Sequence, residues 1–567
     1  MPLEKDAVER LVDAMRGIVG DEHVNVDLEV RWNYARDMTE QEPPTIPDVV
    51  VRPGSTEEVS AILKYCSENR VPVTPFATGA NVGGLTLPHE GGVTIDFKRM
   101  RRLLEVNREC KYVLVEPGFT FGHLRRLLDT ELTEFRYSFP FSPPWTSVGI
   151  NALLHGLGSL SVLYGSADNF INGLEVVLPT GEVVQVGNHA VNGGRFWYGR
   201  APLPDLAGLF VGMQGTTGVA TKIAIQLVDR PPILEHFALI PADPLEFFST
   251  WVHDLDKLHV CDEIGCGYFP PKVGRGIIPD DMIELMAKLM KLVSKGRNAK
   301  LFNRFLWPLL KALSFGRPFS LVKAFAPLLR LKAPEENEAF LICGLTVGAP
   351  NKRVFKAKVT TLKKFVGKRN AMLIPPNDFG DLKPVFMSIL DLPAQLPAFY
   401  DVQRGGGLTW VGSYVPPPVV AEGLERGEEV LKRHGFFPVG VLRPMKGDHY
   451  FVLRFIVPYN QGDPAEVERV KRAVRELADV ILDVGGVPYK MAPWAAQRIW
   501  RRAEENGSGF YGLLKRVKEM LDPRGIMNPG KLVVDLEGDV DAKVGFHAAG
   551  SAPPATSNDE PVRGGMA

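Results

Sequence analysis

Residues 71–84 read Val71-Pro72-Val73-Thr74-Pro75-Phe76-Ala77-Thr78-Gly79-Ala80-Asn81-Val82-Gly83-Gly84. The opening residues form a short run of strand character, and the run ends in a glycine-rich turn. Glycine lets backbone N–H groups approach an anion closely, and Thr78 and Asn81 add polar side chains. A diphosphate suits that description, and so does a glycine-rich hairpin loop. The pattern is neither GxGxxG opening a helix nor GxxxxGK[ST], so Rossmann and P-loop readings fail.

Working outward, the pattern is mixed α/β. Asp48-Val49-Val50-Val51 is a short buried-strand run ended by Pro53-Gly54. Ser55 then caps a helix whose apolar stripe is Val59, Ile62, Leu63 and Cys66. Further strands are expected at Gly92–Asp96 and Tyr112–Glu116, and a hairpin at Leu174–Val186 around Pro179-Thr180-Gly181. Upstream, Val8, Leu11, Val12, Met15 and Ile18 mark an amphipathic helix over residues 5–20.

The whole chain bounds what such a loop can serve. Its 567 residues suggest two to four domains, and 45% apolar with 23% charged residues is ordinary globular balance. Lys plus Arg and Asp plus Glu each number 66, which argues against a nucleic-acid binder. Cys66, Cys110, Cys261, Cys266 and Cys343 are scattered, without metal-ligand spacing, so neither a disulfide framework nor a metal site is expected. No stretch is apolar enough to span a bilayer, and the expected location is cytoplasmic. Between Met286 and Lys332 stand eleven Lys and Arg residues and no acid, interleaved with Leu, Phe and Trp307. Such a segment suits docking to an electron-acceptor protein or an anionic membrane surface, or is a helical surface whose acids lie elsewhere in the chain. From about Asp541 the composition predicts disorder.

The loop has ordered company: RPGSTEEV at 52–59, GVTIDFKRM at 92–100, VEPGFTFGHL at 115–124, SVGINALLHG at 147–156, YGSADNFINGLEVVLPTGEVV at 164–184, GLFVGMQGTTGVATKIAIQL at 208–227 and DPRGIMNPGKLV at 522–533. This series resembles the FAD-linked oxidase superfamily typified by vanillyl-alcohol oxidase and p-cresol methylhydroxylase. The resemblance implies an α+β fold: a two-subdomain α/β FAD-binding domain of the p-cresol methylhydroxylase type, interrupted by a cap domain built on an antiparallel sheet. The expected layout is an N-terminal helical arm over 1–45, the FAD-binding domain over 46–232, the cap over 233–480, a return to the FAD domain over 481–536 and a disordered tail over 537–567. By the same resemblance Thr78, Gly79, Ala80, Asn81, Val82 and Gly83 hold the FAD diphosphate. Ser147, Val148 and Gly149 line the flavin's flank, Gly215, Gly218 and Val219 present backbone to the nucleotide, and Asn528 with Lys531 reaches the ring system. The plain alternative for each is a turn glycine or a capping Asn.

The branch is read at three places. Members that oxidise D-2-hydroxy acids carry H-x-G-D-G-N-x-H, whereas this chain reads Arg443-Pro444-Met445-Lys446-Gly447-Asp448-His449-Tyr450 and lacks the ligands for a metal. The segment Arg404-Gly405-Gly406-Gly407-Leu408-Thr409-Trp410 and the run Gly486-Val487-Pro488-Tyr489-Lys490 resemble the alkylphenol-oxidising branch, whose Tyr and Arg at the latter place bind a phenolate. A donating Tyr489 hydroxyl beside the Lys490 cation lowers a phenol's pKa. Neighbours in a strand point to opposite faces, so an irregular backbone is needed for both to converge. A core Tyr489 and a surface Lys490 are the plain alternative. His449 is read as a flavin or substrate neighbour, with a noncovalent flavin favoured over a covalent one, and His155 as an acid–base group near the flavin.

The resulting expectation is a homo-oligomeric FAD-dependent oxidoreductase taking a hydride from a small organic substrate, favoured a para-substituted phenol or aromatic alcohol. The alternatives are a D-2-hydroxy-acid dehydrogenase of the lactate or glycolate type, passing electrons to an iron–sulfur or flavoprotein partner, and a non-catalytic flavin subunit of a complex.

Overall fold

The computed structural model describes residues 4–37, 45–81, 83–270, 339–378 and 406–538. The basic segment 286–332, Val82, Arg404-Gly405 and nearly all of the expected tail lie outside them. Three large sheets, with a two-stranded ribbon of Phe135–Arg136 and Val228–Asp229, organise the described chain. The first has the order Val24–Asn25, Val49–Val51, Val93–Asp96, Val73–Phe76, and its last three strands are parallel. Val73–Phe76 and Val93–Asp96 run in the same direction, so the glycine-rich loop between them is a crossover and not a hairpin turn. Helix Lys5–Val19 packs Leu11, Val12 and Met15 into this core, and helix Thr56–Asn69, capped by the Ser55 hydroxyl, adds Val59, Ile62 and Leu63.

The second sheet is antiparallel, in the order Leu103–Asn107, Tyr112–Val115, Val219–Gln226, Ile171–Val177, Val183–Val186. The expected hairpin is its far edge. Helices Phe121–Thr130 and Val148–Leu153 cover it, and Gly149 lies so close to Ile223 that a Cβ would meet that side chain at 2.4 Å.

The third sheet has eight antiparallel strands, in the order Ala371–Ile374, Ile233–Pro241, Phe340–Ala349, Glu263–Phe269, Gly440–Met445, Tyr450–Asn460, Gly406–Val415, Val487–Pro488. It is the antiparallel cap expected from sequence, but it also takes in Val487–Pro488, past the residue-480 boundary. One face is mostly apolar: Val411, Leu442, Phe451, Leu453, Phe455 and Val457 sit under helices Lys352–Gly367, Val420–Arg433 and Pro464–Asp483. The other face alternates with it and turns its Arg, Tyr and Gly residues toward the FAD-binding half, as the period of two requires. Among the described residues no helix is long and apolar enough to cross a membrane, and all five cysteines are free.

Helix Val420–Arg433 reaches the sheet only because Gly427 lacks a side chain: a Cβ there would stand 2.0 Å from the buried Phe455 ring. Gly427→Ala should therefore cost about 1–3 kcal/mol through overpacking. Differential scanning calorimetry should show a melting temperature lowered by several degrees with flavin content unchanged, and Phe455→Leu in the same chain should restore most of the loss.

Candidate active site

The glycine loop leaves the end of strand Val73–Phe76 and forms one wall of a cleft of about 1030 Å³ including its mouth. Thr78, Gly79, Ala80 and Asn81 line it. Gly79 has φ 66°, and a Cβ on it would strike the Phe76 ring at 2.5 Å, so glycine is required by both backbone and space. Among the described residues no acceptor takes the backbone N–H groups of Thr78, Gly79, Ala80 or Asn81. The Gly84 N–H, by contrast, is held by the Asp37 carboxylate at 2.6 Å, which pins the far end of the loop.

The opposite wall comes from three separate places. Ser147 caps helix Val148–Leu153 and lines the cleft, as do Gly215, Gly218 and Val219. Gly215 and Gly218 both have positive φ, 71° and 156°. Val148 and Gly149, expected on the flavin's flank, do not line it: Val148 is fully buried and Gly149 is spent on packing against Ile223. Asn528 arrives because residues 526–528 add to the first sheet, with Val73 N–H donating to the Ile526 carbonyl and Asn528 N–H to the Val73 carbonyl at 2.8 and 2.7 Å. Its side-chain amide donates to the carbonyls of Leu85 and Gln214. Lys531 does not line the cleft, because its buried ammonium turns to His89.

Among the described residues, four buried polar atoms on cleft residues lack a partner: Asn81 Nδ2, Thr146 Oγ1, Gln214 Oε1 and Asn528 Oδ1. With the free loop amides they form a set of donors and acceptors suited to a dinucleotide: main-chain N–H groups for phosphates, amide side chains for a heterocycle or sugar edge.

At the inner end of the cleft stands Lys490. The chain leaves strand Val487–Pro488 there, and Lys490 takes φ 52°, the irregular backbone that the Tyr489-Lys490 reading called for. The two side chains stay neighbours, with the Lys490 ammonium 6.0 Å from the centre of the Tyr489 ring, but their polar ends take different partners. Lys490 Nζ donates to Asn151 Oδ1 at 3.1 Å and lines the cleft. Gly156 leaves room for Asn151, since a Cβ there would overlap its amide. Burial pushes the Lys490 ammonium down to about 7, and Arg454 adds to the shift. Tyr489 instead enters the cap's inner face, where its hydroxyl accepts from Arg454 and its ring stacks on Tyr414 at 5.0 Å and 8°. Gly412 makes this possible: a Cβ there would lie 2.7 Å from the Tyr489 ring.

The cation on the Tyr489 hydroxyl is therefore Arg454, 35 residues away in sequence, and not Lys490. The signal was present, for Tyr450–Asn460 is an apolar strand interrupted by a single Arg. His155, at φ 50°, adjoins this box: its carbonyl accepts from the Tyr414 hydroxyl at 2.7 Å, and its Nδ1 meets Asp168 Oδ1 at 3.0 Å. The sequence reading missed Asp168, which fixes the ring and holds its own pKa low through His155 despite burial. His449, expected beside flavin or substrate, is exposed in the turn after Met445 and does not line the cleft. Its neighbour Asp448 is tied to His253 on the cap.

Comparison with known proteins agrees with this geometry. Residues 47–187 match the FAD binding domain family, and residues 412–532 the family of FAD linked oxidases, C-terminal domain. The chain is 24% identical over 561 residues to the 4-cresol dehydrogenase [hydroxylating] flavoprotein subunit of Pseudomonas putida, covering 94% of this chain and 96% of that one. A shorter stretch of 229 residues is 34% identical to a mitochondrial D-lactate dehydrogenase [cytochrome] of Arabidopsis thaliana, covering 40% of this chain and 38% of that relative. The crystal structure of p-cresol methylhydroxylase with substrate bound shares the fold with a TM-score of 0.74 at 20% identity, over 95% of this chain and 99% of that one. The chain thus carries an FAD binding domain and the C-terminal domain of FAD linked oxidases on the fold of p-cresol methylhydroxylase, and it is an FAD-dependent oxidoreductase.

Proposed function

We propose that this enzyme removes a hydride from a carbon of a para-substituted phenol or aromatic alcohol whose phenolic oxygen is held at Tyr489. The observation that carries the reading is the Tyr489–Arg454 contact inside a box of Tyr414, Tyr450 and Trp410, next to the inner end of the cleft. Because the Tyr489 oxygen already accepts from a guanidinium, its own proton is free to be donated to a substrate oxygen. A donor backed by a buried cation favours the ionised phenol, and electron density from a para oxyanion eases departure of hydride from the benzylic carbon. Bound FAD supplies the two-electron acceptor for that hydride.

The chain's own residues do the rest. The amides of residues 78–81 hold the diphosphate, and Asn528 and Gln214 offer their unpaired carbonyl oxygens to the nucleotide. Lys490, kept in place by Asn151, supplies positive charge at the junction of cofactor and substrate when protonated. His155, oriented by Asp168, is placed to receive a proton from a substrate hydroxyl. A D-2-hydroxy-acid dehydrogenase is the second reading, supported by the 34% identical stretch.

Steady-state assays with 4-alkylphenols and 4-hydroxybenzyl alcohol against D-lactate and glycolate separate the two, and turnover of the acids alone sinks the phenol reading. Tyr489→Phe should lower kcat for phenols by about 10²–10³, as loss of a positioned donor does, with flavin absorbance of the purified protein unchanged. Asn528→Leu should do the opposite, lowering flavin content per chain before any effect on residual specific activity per flavin.

The Lys490 ammonium, at about 7, is charged below that pH and neutral above it. A profile of kcat/KM against pH should therefore hold its plateau on the acid side and fall as pH rises through 7. Lys490→Arg, charged throughout, should abolish that alkaline limb, and an unchanged limb would remove Lys490 from the reaction.

A further inference from the structure

One phenolate accounts for one cation, yet the cap's inner face buries two guanidinium groups. Val441 pairs with Arg454 and Arg443 pairs with Val452, so Arg443 and Arg454 are diagonal neighbours on one face of adjacent antiparallel strands. Each is only 8% exposed. Arg443 donates to the Gly158 carbonyl and Arg454 to the Tyr489 hydroxyl, and the Nε of both has no partner. Among the described residues neither has a carboxylate within ion-pair distance. The acid acting on Arg443 from across the sheet, Glu263, is itself engaged by the Thr346 hydroxyl at 2.9 Å.

Such a pair is costly as it stands. Two like charges removed from water, each given a neutral oxygen, keep most of their desolvation penalty. Burial holds Arg443 below the usual guanidinium range, and Arg454 presses it further the same way. The neighbourhood nonetheless reserves space for these cations. Gly265 stands where a Cβ would lie 2.9 Å from Arg443 Nη2, and Gly412 opens the same face beside Tyr489. A planar anion accepting from both forks would cancel the repulsion and satisfy the orphaned donors, and carboxylate has the matching geometry.

We propose that the aromatic substrate carries a carboxylate in addition to its phenolic oxygen, and that Arg443, alongside Arg454, receives it. This rests on the reading of Tyr489 as the substrate-facing donor and adds to it a specificity residue, Arg443, and a substrate class, the carboxylated hydroxyaryl alcohols.

The test uses the flavin-loaded enzyme. The neutral substrate is 4-hydroxybenzyl alcohol, and 5-(hydroxymethyl)salicylate and 4-hydroxymandelate carry the carboxylate at two positions. Benzoate serves as an unreactive anion, followed through the flavin absorbance. At least one carboxylated substrate should exceed the neutral alcohol in kcat/KM by about 100-fold, the order expected when a built polar contact is made or missing. In Arg443→Met that ratio should collapse toward one and the benzoate Kd rise by a similar factor, while Arg443→Lys keeps part of both. If Arg443→Met fails to fold, the wild-type substrate ratio and the Lys variant decide. Equal use of neutral and carboxylated alcohols, with no benzoate response, overturns the proposal and leaves the phenol reading standing. An Arg443-dependent benzoate response without turnover of any aromatic alcohol sustains the anion site and overturns the phenol reading instead.

Discussion

Two backbone carbonyls tie the two halves of this protein together. The turn after helix Val148–Leu153 offers the His155 oxygen to the Tyr414 hydroxyl and the Gly158 oxygen to the Arg443 guanidinium. Both donors stand on the inner face of the cap sheet, and both acceptors belong to the FAD-binding half. Leu157, between them, packs with Met445, Val452 and Tyr489. Around this seam lie the cleft on one side, the aromatic and cationic box on the other, and Lys490 with Asn151 where they meet. A buried bond between a cation and a carbonyl loses its worth if either side shifts by an ångström. These contacts act together with the Lys446 and Gly447 N–H groups, which donate to the Ser161 and Val162 carbonyls, and with the Arg136–Asp262 pair.

The cofactor half was legible because its requirements are local. A loop that leaves its amides free needs glycines at fixed places, and Gly79 with φ 66° over the Phe76 ring is such a place. Consecutive motifs in order then determined the domain pattern. What the local reading could not decide was the direction of the strand that follows. A hairpin and a parallel crossover have the same turn residues, and only the pairing of Val73 with Val93 distinguishes them.

The substrate half was far less legible, since its groups converge from strands distant in sequence. Tyr489 and Lys490 are adjacent in the chain and were read as partners; the ammonium does lie 6.0 Å from the Tyr489 ring, yet it donates to Asn151 and leaves the hydroxyl to Arg454. The partner Tyr489 does have is fixed by sheet register: Gly412 opposite Arg454, with the Gly412 side empty enough for the ring. Register is a long-range property. The trace that remained in the sequence was an arginine in each of two otherwise apolar strands, Arg443 and Arg454, a combination that an ordinary core does not tolerate. His449 failed for the opposite reason: motif likeness placed it, but the turn after Met445 turns it outward.

The segment that completes the first sheet comes late. Asn528 stands 443 residues beyond Leu85, whose carbonyl it grips, and Val73 has its edge partner only when Ile526 is in place. During synthesis the N-terminal α/β unit thus emerges with one strand edge bare and its nucleotide wall unfinished, and it stays so while the entire cap is translated. An open edge is a template for unwanted pairing between nascent chains. The cleft that Asn528 lines is consequently complete only once the chain has been made past residue 528.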